Sequence, residues 1–324
     1  MAMSERITSE RAAALLNAAD HILILTHQYP DGDTLGSGYA LCRALTALGK
    51  TARVLCADEI PGKYGYMTEG VAEPDFEPAF ICAVDVADRR LLGPSLEALA
   101  DRADLCIDHH GSNIQYARHL LLDASCAATA IMIYHVIRIM GAPVDRATAE
   151  CIYTGIATDT GCFKYANTSP EAHRIAAELM EIGIRHEMIN RVMFDIKSRA
   201  RLELERLALD SIRFYYGDRC AVMFITNEMV TRSGAGENDM EGLAPISRQI
   251  EGVWVGITLR QKTDGCFKVS VRTGTHADAA AICSRLGGGG HNRAAGCSLA
   301  GTAEEAVARL LAAVKETVPA IAAN

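Results

Sequence analysis

The chain has 324 residues, 49% of them hydrophobic and 22% charged, and its net charge at pH 7 is −8. At roughly 150 residues per domain this length predicts two domains, and the composition excludes a disordered or collagen-like chain. Apolar runs such as 22–25 are far shorter than the roughly 18 residues that cross a bilayer, so we expect no membrane partner.

The negative charge lies in the first two thirds of the chain. Residues 1–204 hold 19 Lys and Arg against 27 Asp and Glu, whereas residues 205–324 hold 13 of each class. Proteins that follow long nucleic acids carry basic surfaces, and no basic stretch is visible here. Long nucleic acid is therefore not expected as a partner. The excess carboxylates form either a solvated surface or a site for divalent cations.

The eleven cysteines are scattered from Cys42 to Cys297, with no C-x-x-C pair, and most stand in apolar segments. This pattern predicts buried free thiols in a reducing compartment. No secretory signal is visible in the first residues, so we expect a cytoplasmic protein.

The first part of the chain alternates strand and helix patterns. Apolar runs predict strands at 21–26, 52–56, 80–85 and 104–107, and helical patterns cover 34–48, 88–101, 125–140, 146–158 and 170–183. Gly49, Gly141 and Gly183 stand where helices are expected to end. The alternation predicts an α/β domain over residues 1–186, with a parallel sheet and helices on both faces.

The second part of the chain follows a charged stretch without Pro or Gly, which predicts a connector helix over 187–212. Strand patterns then occupy 213–216, 220–225, 252–260 and 267–272, and helical patterns occupy 276–286 and 302–317. Residues 213–324 are therefore predicted to form a smaller α+β domain.

The strongest local motif is His27-Gln-Tyr-Pro-Asp31-Gly-Asp33, which follows the first long strand and opens a helix. Ligands of parallel sheets bind beyond the carboxyl ends of the strands. Oxygen and nitrogen donors without a thiolate suit Mn²⁺ or Mg²⁺ better than structural Zn²⁺. Taken alone, the motif is explained equally well by Asp33 as a helix cap and Asp31 as a turn former.

The same arrangement recurs three times. Asp85 ends the strand 80–85, Asp108-His109-His110 ends the strand 104–107, and Asp159 precedes a glycine turn. Burying so many carboxylates without compensation is costly, and divalent cations would remove that cost. Four such sites at one sheet edge favour a metal cluster over four unrelated caps.

These residues carry a resemblance to a known family. The set His27-x-x-x-Asp31-x-Asp33, Asp85, Asp108-His109-His110 and Asp159 resembles the motif series of the DHH phosphoesterase superfamily, and stretches 107–113 and 159–168 fit it as well. The run 269–272 followed by 287–296 resembles the DHH-associated domain of the nano-RNase and pAp-phosphatase branch. One departure is Gly111-Ser112, where the family has a bulkier residue and Thr.

The resemblance implies two Mn²⁺ ions, with Mg²⁺ or Co²⁺ as alternatives. His27, Asp31 and Asp85 would hold one ion, and Asp33, Asp85, His109 and Asp159 the other. Asp108 would orient a histidine, and His110 would face the scissile phosphate. A water activated between two metals would attack phosphorus.

The glycine run 287–290 is by itself either a flexible turn or a backbone that approaches an anion closely. The resemblance favours phosphate or base binding by Gly288, Gly289, Gly290, His291 and Arg272, with Arg293 as a further cation. We expect these residues of the second domain to face the metal site across a cleft between the domains.

The resemblance implies an enzyme that hydrolyses very short oligoribonucleotides and 3′-phosphoadenosine 5′-phosphate (pAp). One alternative is a cyclic di-AMP phosphodiesterase. The other is a DHH pyrophosphatase or exopolyphosphatase, but the GGGGH run is not expected in that class of enzyme. A nucleotide sensor without activity would lack a metal ligand, and every expected ligand is present. The sequence is compatible with a homodimer.

Overall fold

The chain folds into two compact units, Met1–Ile196 and Lys197–Asn324. The structure is a computed structural model, and it describes residues 4–240, 242–263 and 265–322. Among these residues, no helix is long and apolar enough to span a membrane.

The first unit is built on a six-stranded sheet in which every neighbouring pair is parallel, in the order β1-β6-β5-β4-β2-β3. The strands are β1 (Glu5–Arg6), β2 (Ile22–Leu25), β3 (Ala52–Leu55), β4 (Phe80–Val84), β5 (Leu105–Asp108) and β6 (His119–Leu122). The four predicted strands are present. The short strands β1 and β6, which lie at one edge, are additions that the sequence pattern did not indicate.

Seven helices belong to the described part of this unit: α1 (Ser9–Ala18), α2 (Gly32–Ala47), α3 (Gly65–Thr68), α4 (Thr129–Met140), α5 (Arg146–Asp159), α6 (Pro170–Glu181) and α7 (His186–Asn190). Alternate strand residues face opposite sides. Ile22 and Ile24 join the core formed with α1, α2, α4, α5 and α6, whereas Leu23 and Leu25 join a second, smaller core.

The helix predicted over 88–101 is wrong. That stretch forms two 3-10 helices, Arg89–Leu92 and Glu97–Arg102, which pack on the second face of the sheet. Gly93 separates them with a φ of +82°, and Pro94 follows directly. A left-handed residue followed by proline cannot continue a helix.

The predicted connector helix is also interrupted. Helix α7 passes into a π turn at Arg191–Asp195, the chain becomes extended at Ile196, and α8 (Arg199–Asp210) then begins. The Ser198 side chain accepts a hydrogen bond from the Arg201 N–H at 2.9 Å and so starts a new helix. In the sequence, Ser198 within the charged stretch is the residue that indicates this break.

The second unit contains a mixed six-stranded sheet in the order β11-β12-β10-β9-β8-β7, in which only β8 and β9 pair in parallel. Its strands are β7 (Arg213–Tyr215), β8 (Cys220–Ile225), β9 (Val255–Gln261), β10 (Phe267–Thr273), β11 (Gly289–His291) and β12 (Ala294–Leu299). Its helices are α8, α9 (Asn227–Ser233), α10 (Ala279–Ser284) and α11 (Ala303–Thr317).

The architecture confirms the predicted α/β class, with a parallel-sheet unit followed by a smaller α+β unit. Of the eleven cysteines, seven are buried: Cys42, Cys82, Cys106, Cys151, Cys220, Cys283 and Cys297. Gly49, Gly141 and Gly183 follow helices with φ values of +79°, +74° and +90°, as the helix-end pattern predicted.

Candidate metal centre

The candidate centre lies at the carboxyl edge of the parallel sheet. His27 follows β2 by two residues, Asp85 follows β4 directly, and Asp108 is the last residue of β5. Strand β2 pairs with β3 on one side and with β4 on the other. The order in which successive strands are added to the sheet therefore reverses between β2 and β4. Open parallel sheets bind their ligands at such switch points.

The first group of possible ligands contains His27, Asp31 and Asp85, whose donor atoms lie within 4.8 Å of one another. His27 Nε2 is 3.6 Å from Asp31 Oδ1 and 3.6 Å from Asp85 Oδ2. The other ring nitrogen of His27, Nδ1, is 2.8 Å from the Gln28 carbonyl oxygen. This contact keeps Nε2 directed at the two carboxylates.

The second group contains Asp33, His109 and Asp159, again within 4.8 Å. His109 Nε2 lies 3.2 Å from Asp159 Oδ2 and 3.7 Å from Asp85 Oδ1. One oxygen of Asp85 therefore faces His27 of the first group and the other faces His109 of the second. The structure brings together all six residues that the resemblance named as ligands.

Asp33 is held by the start of a helix that is distant in sequence. Its two carboxylate oxygens accept hydrogen bonds from the Thr129 N–H at 2.7 Å and the Ala130 N–H at 2.9 Å. The Thr129 hydroxyl donates to Asp85 at 2.9 Å. Free N–H groups and the dipole at the start of α4 thus favour negative charge at this point. Asp33 is not the cap of α2, because Asp31 is.

Thr129 is a site residue that the sequence did not reveal. In the sequence it is an ordinary threonine. Only its position near the start of a predicted helix could have indicated a role in the site. The neighbouring carbonyl of Cys126, which contacts His109 Nδ1 at 3.1 Å, carries no sequence signal.

Glycines allow α2 and α5 to approach closely enough to bring the carboxylates together. A Cβ atom on Gly155 would lie 2.7 Å from Asp33 Oδ1 and 2.5 Å from the Ala130 Cβ. A Cβ atom on Gly36 would lie 2.4 Å from the Cys151 carbonyl oxygen. Neither position has room for a larger residue, so the helix crossing depends on both glycines.

Asp108 and His110 form a separate contact beside the cluster. His110 Nδ1 is 2.8 Å from Asp108 Oδ1, and the Asn113 amide donates to Asp108 Oδ2 at 2.7 Å. Asp108 thus orients His110 rather than His109. His110 Nδ1 is also 3.5 Å from Asp85, so His110 is a further candidate ligand in the group Asp85, His109 and His110.

Burial and neighbouring charges shift the pKa values of this cluster. Burial alone would lower the pKa of His27, but hydrogen bonds to the Asp31 and Asp85 carboxylates raise it to about 11. Burial, reinforced by the charges of Asp85, Asp159 and Asp31, raises the pKa of Asp33 well above its usual value. Burial also raises the pKa of Asp159, to about 7, against the opposing effect of His109.

The pKa of His110 is raised to about 9, chiefly by its hydrogen bond to Asp108. Burial tends to raise the pKa of Asp108, but the hydrogen bonds from His110 and Asn113 lower it overall. The His110 side chain is 44% exposed and is therefore accessible to a ligand.

The donor set fits divalent cations. Oxygen and imidazole nitrogen dominate it, as expected for Mn²⁺ or Mg²⁺ rather than a structural zinc site. Asp33 and Asp85 are 0% and 2% exposed, and burial together with the charges of Asp85, Asp159 and Asp31 disfavours the ionised form of Asp33 unless positive charge is supplied. His27 supplies part of that charge when protonated, and cations would supply it in its place.

The remaining predicted residues belong to the second unit. Arg272 lies on β10 and pairs in register with Gly256 and Ala294, and His291 is exposed at the end of the edge strand β11. The glycine run is therefore partly an edge strand rather than a flexible turn.

The glycines of this run differ from one another. The N–H of Gly288 donates to the Cys283 carbonyl at 2.9 Å, so it is not offered to an anion. Cβ atoms on Gly288 and Gly290 would lie 2.2 Å from the Gly296 carbonyl oxygen and 2.6 Å from Ala295 Cα, respectively. Gly289 has open space around its Cα. Packing against β12 thus accounts for Gly288 and Gly290, whereas Gly289, like Gly287 at the start of the run, leaves room for a ligand.

Comparisons with known proteins agree with this architecture. The model of the DHH family, N-terminal domain, matches residues 21–156, and that of the DHHA1 domain matches residues 217–320. A bifunctional oligoribonuclease and PAP phosphatase NrnA from Thermus thermophilus is 36% identical over 301 residues, which cover 91% of this chain and 89% of that protein. The protein of the same name from Bacillus subtilis is 23% identical over 286 residues, covering 86% and 90%.

Among solved structures, an exopolyphosphatase-related protein from Bacteroides fragilis matches with a TM-score of 0.87 and 26% identity, over 97% of both chains. The two domain models match in the same order as the two units of this structure. With 36% identity to a relative over nine tenths of its length, the chain belongs to the DHH family of phosphoesterases.

Proposed function

We propose that this protein hydrolyses phosphate esters of very short oligoribonucleotides and of pAp, using two bound Mn²⁺ ions. The observation that carries the proposal is the pair of ligand groups that face the opposite oxygens of Asp85. A carboxylate between two cation sites is the arrangement expected for hydrolysis assisted by two metals.

Each side chain of the cluster has a distinct task in this proposal. His27, Asp31 and Asp85 hold one cation, and Asp33, Asp85, His109 and Asp159 hold the other. Two divalent cations supply, when bound, the Lewis acid that activates water and neutralises charge on the phosphoryl oxygens. The start of α4 fixes Asp33, and Thr129 fixes Asp85, so both carboxylates are oriented before a cation arrives.

His110 acts on the substrate. Asp108 holds its Nδ1, which leaves Nε2 as the ring nitrogen that can donate a proton outward. A protonated His110 stabilises charge on the phosphate or protonates the leaving oxygen. Asp108 and Asn113 keep the ring in this orientation.

The choice of substrate rests on the relatives and on charge. The Thermus thermophilus and Bacillus subtilis relatives are named as oligoribonucleases and PAP phosphatases. The first unit holds 16 Lys and Arg against 26 Asp and Glu. Even two divalent cations leave it acidic, so each further phosphate of a long RNA meets little positive surface. Arg272, His291 and Gly289 of the second unit bind a phosphate or base of the short substrate.

The compartment is inferred from the cysteines. Seven buried thiols distributed over both units are typical of a protein that works in a reducing environment. We therefore infer a cytoplasmic enzyme.

The test is a substrate panel with the full chain at fixed Mn²⁺ and salt. It contains pAp, the dinucleotide pApA, RNAs up to about 24 nucleotides, cyclic di-AMP and pyrophosphate. We expect rapid hydrolysis of pApA and pAp, with rates that fall steeply as the RNA lengthens. Rapid hydrolysis of pyrophosphate without action on pApA would overturn the proposal. Cleavage of the longest RNA at the dinucleotide rate would instead indicate an exonuclease.

A further inference from the structure

Arg248 of the second unit is a half-buried cation without a partner among the described residues. It ends the 3-10 helix Ile246–Arg248, and its Nε atom is buried without a hydrogen bond. Its guanidinium forms no hydrogen bond or ion pair with any residue that the structure describes. A buried donor of this kind is costly unless something outside the chain completes it.

Two glycines leave the space that Arg248 occupies. A Cβ atom on Gly256 would lie 2.5 Å from the Arg248 backbone nitrogen, and one on Gly274 would lie 2.6 Å from Arg248 Nη2. The backbone of Arg248 therefore rests on β9, while its guanidinium lies against the buried Gly274, just beyond β10. An arginine that packs along such a path has a defined position and is not a freely moving surface side chain.

A second arginine reaches the same glycine. The Arg293 guanidinium donates hydrogen bonds to the Gly274 carbonyl and, at 3.1 Å, to the Ala277 carbonyl. Arg293 forms no ion pair with a carboxylate of the described residues. Asp278, an acidic residue that follows Ala277, accepts the Ala281 N–H at 3.0 Å as the cap of α10. Two cations thus converge on Gly274, and no carboxylate in the described part of the chain pairs with either of them.

We propose that Arg248 and Arg293 form an anion site at Gly274, and that its ligand is a phosphate monoester. A dianionic phosphate offers three oxygens to the planar fork of an arginine, and two arginines match its charge. Resting on the proposed function, the inference deepens it: this site binds the terminal phosphate of the nucleotide substrate. It adds Arg248, which no sequence motif indicated, to the residues that select substrates.

The decisive measurement combines the Arg248→Gln substitution with a substrate that lacks the terminal phosphate. We compare kcat/KM for pApA and for ApA, which lacks the terminal phosphate, in the wild-type protein and in R248Q. Loss of a charge-assisted contact should lower kcat/KM for pApA by about 10- to 100-fold. The value for ApA should not change. Equal losses on both substrates, or no loss on pApA, would overturn the inference.

Two further variants keep the test interpretable. Arg248→Lys retains the charge but not the planar fork, so it should fall between the wild-type protein and R248Q on pApA. Arg206→Gln is the matched control, because Arg206 is an exposed arginine of α8 paired with Glu203 and Asp210. R206Q should behave as the wild-type protein on both substrates. A loss in R206Q equal to that of R248Q would also overturn the inference.

A binding measurement separates this inference from the proposed function. Thermal unfolding of the full chain is followed with and without inorganic phosphate, in chelator so that no divalent cation binds the phosphate. Phosphate should raise the Tm of the wild-type protein and of R206Q, but not that of R248Q. If the wild-type protein cleaves neither dinucleotide, the proposed function fails, and this measurement still decides on the anion site. An equal rise in R248Q would refute it.

Discussion

Replacing Asp85 with Asn tests whether one carboxylate serves both candidate cation sites. Asp85 has a φ of +60°, a left-handed conformation that Asn tolerates better than Ala. The change therefore removes the charge with little change in backbone strain or volume. Asp85 Oδ2 is 3.6 Å from His27 Nε2, and Oδ1 is 3.7 Å from His109 Nε2, so both groups lose a carboxylate at once.

The expected magnitude follows from the linkage between cation binding and stability. At about 1,000 times the dissociation constant, a bound ligand stabilises the folded state by about 4 kcal/mol. For a unit of this size that corresponds to a rise in Tm of roughly 8–16 °C. In D85N most of this rise should be absent, and turnover should fall by at least about 10³-fold. Without metal, D85N should differ less from the wild-type protein in Tm, because the Asp85 charge disfavours ionisation of Asp33 but stabilises protonated His27, and loss of that charge has opposing effects.

The assay combines three measurements on the same preparations: metal content per chain after dialysis against Mn²⁺, Tm with and without Mn²⁺, and hydrolysis of pApA. Asp101→Asn is the matched control, since Asp101 is an exposed carboxylate paired with Arg89 at 2.7 Å. It should bind metal and turn over like the wild-type protein. If D85N retains two ions per chain and near-normal turnover, the assignment of Asp85 to both sites is refuted.

Three other predictions concern packing, protons and substrate contacts. Gly155→Ala should lower the free energy of unfolding of the first unit by about 1–3 kcal/mol and weaken Mn²⁺ binding, as followed by thermal unfolding and titration, because the new Cβ would lie 2.7 Å from Asp33 Oδ1. The affinity for Mn²⁺ should rise by at least about tenfold per pH unit from pH 5 to 7 in calorimetric titrations, because binding must displace the proton from His27, whose pKa is about 11. Arg272→Ala and His291→Ala should keep the wild-type metal content but lose far more activity on pApA than on bis-p-nitrophenyl phosphate, which lacks a nucleotide to bind.

The packing prediction has a matched control variant, and each of the other two has a result that would contradict it. Gly65 has open space around its Cα and lies in a helix, so Gly65→Ala should leave stability unchanged or raise it slightly. A Mn²⁺ affinity that does not depend on pH would contradict the proton displacement at His27. Equal losses on the dinucleotide and on the small ester would assign Arg272 and His291 to the chemistry or to folding.

The sequence alone indicated which candidate ligands meet at the carboxyl edge of the parallel sheet. Three of the four strands predicted for the first unit, 21–26, 80–85 and 104–107, have an imidazole or a carboxylate at the carboxyl end, namely His27, Asp85 and Asp108. Strand identity and the polarity of the next residue are local properties, so they can be predicted without knowing what packs against what. The resemblance to the DHH family rested on the same local motifs.

Local patterns failed where a single residue interrupted them. The stretch 88–101 has a helical pattern, but Gly93 and Pro94 divide it, and Ser198 starts a new helix within the predicted connector. Both breaks are visible in the sequence, yet their effect depends on whether tertiary packing supports the alternative conformation. Packing of the two 3-10 helices on the second core decided the first case.

Only the tertiary structure decided which groups share a partner. Asp33 receives its hydrogen bonds from Thr129 and Ala130, nearly a hundred residues away, and Asp108 contacts His110 instead of His109. Gly155 matters because its missing Cβ makes room for Asp33. Arg248 resembles any surface arginine until Gly256 and Gly274 are seen beneath it. Such contacts join residues that are far apart in the chain, and their geometry is set by the packing of helices and strands to within a fraction of an ångström.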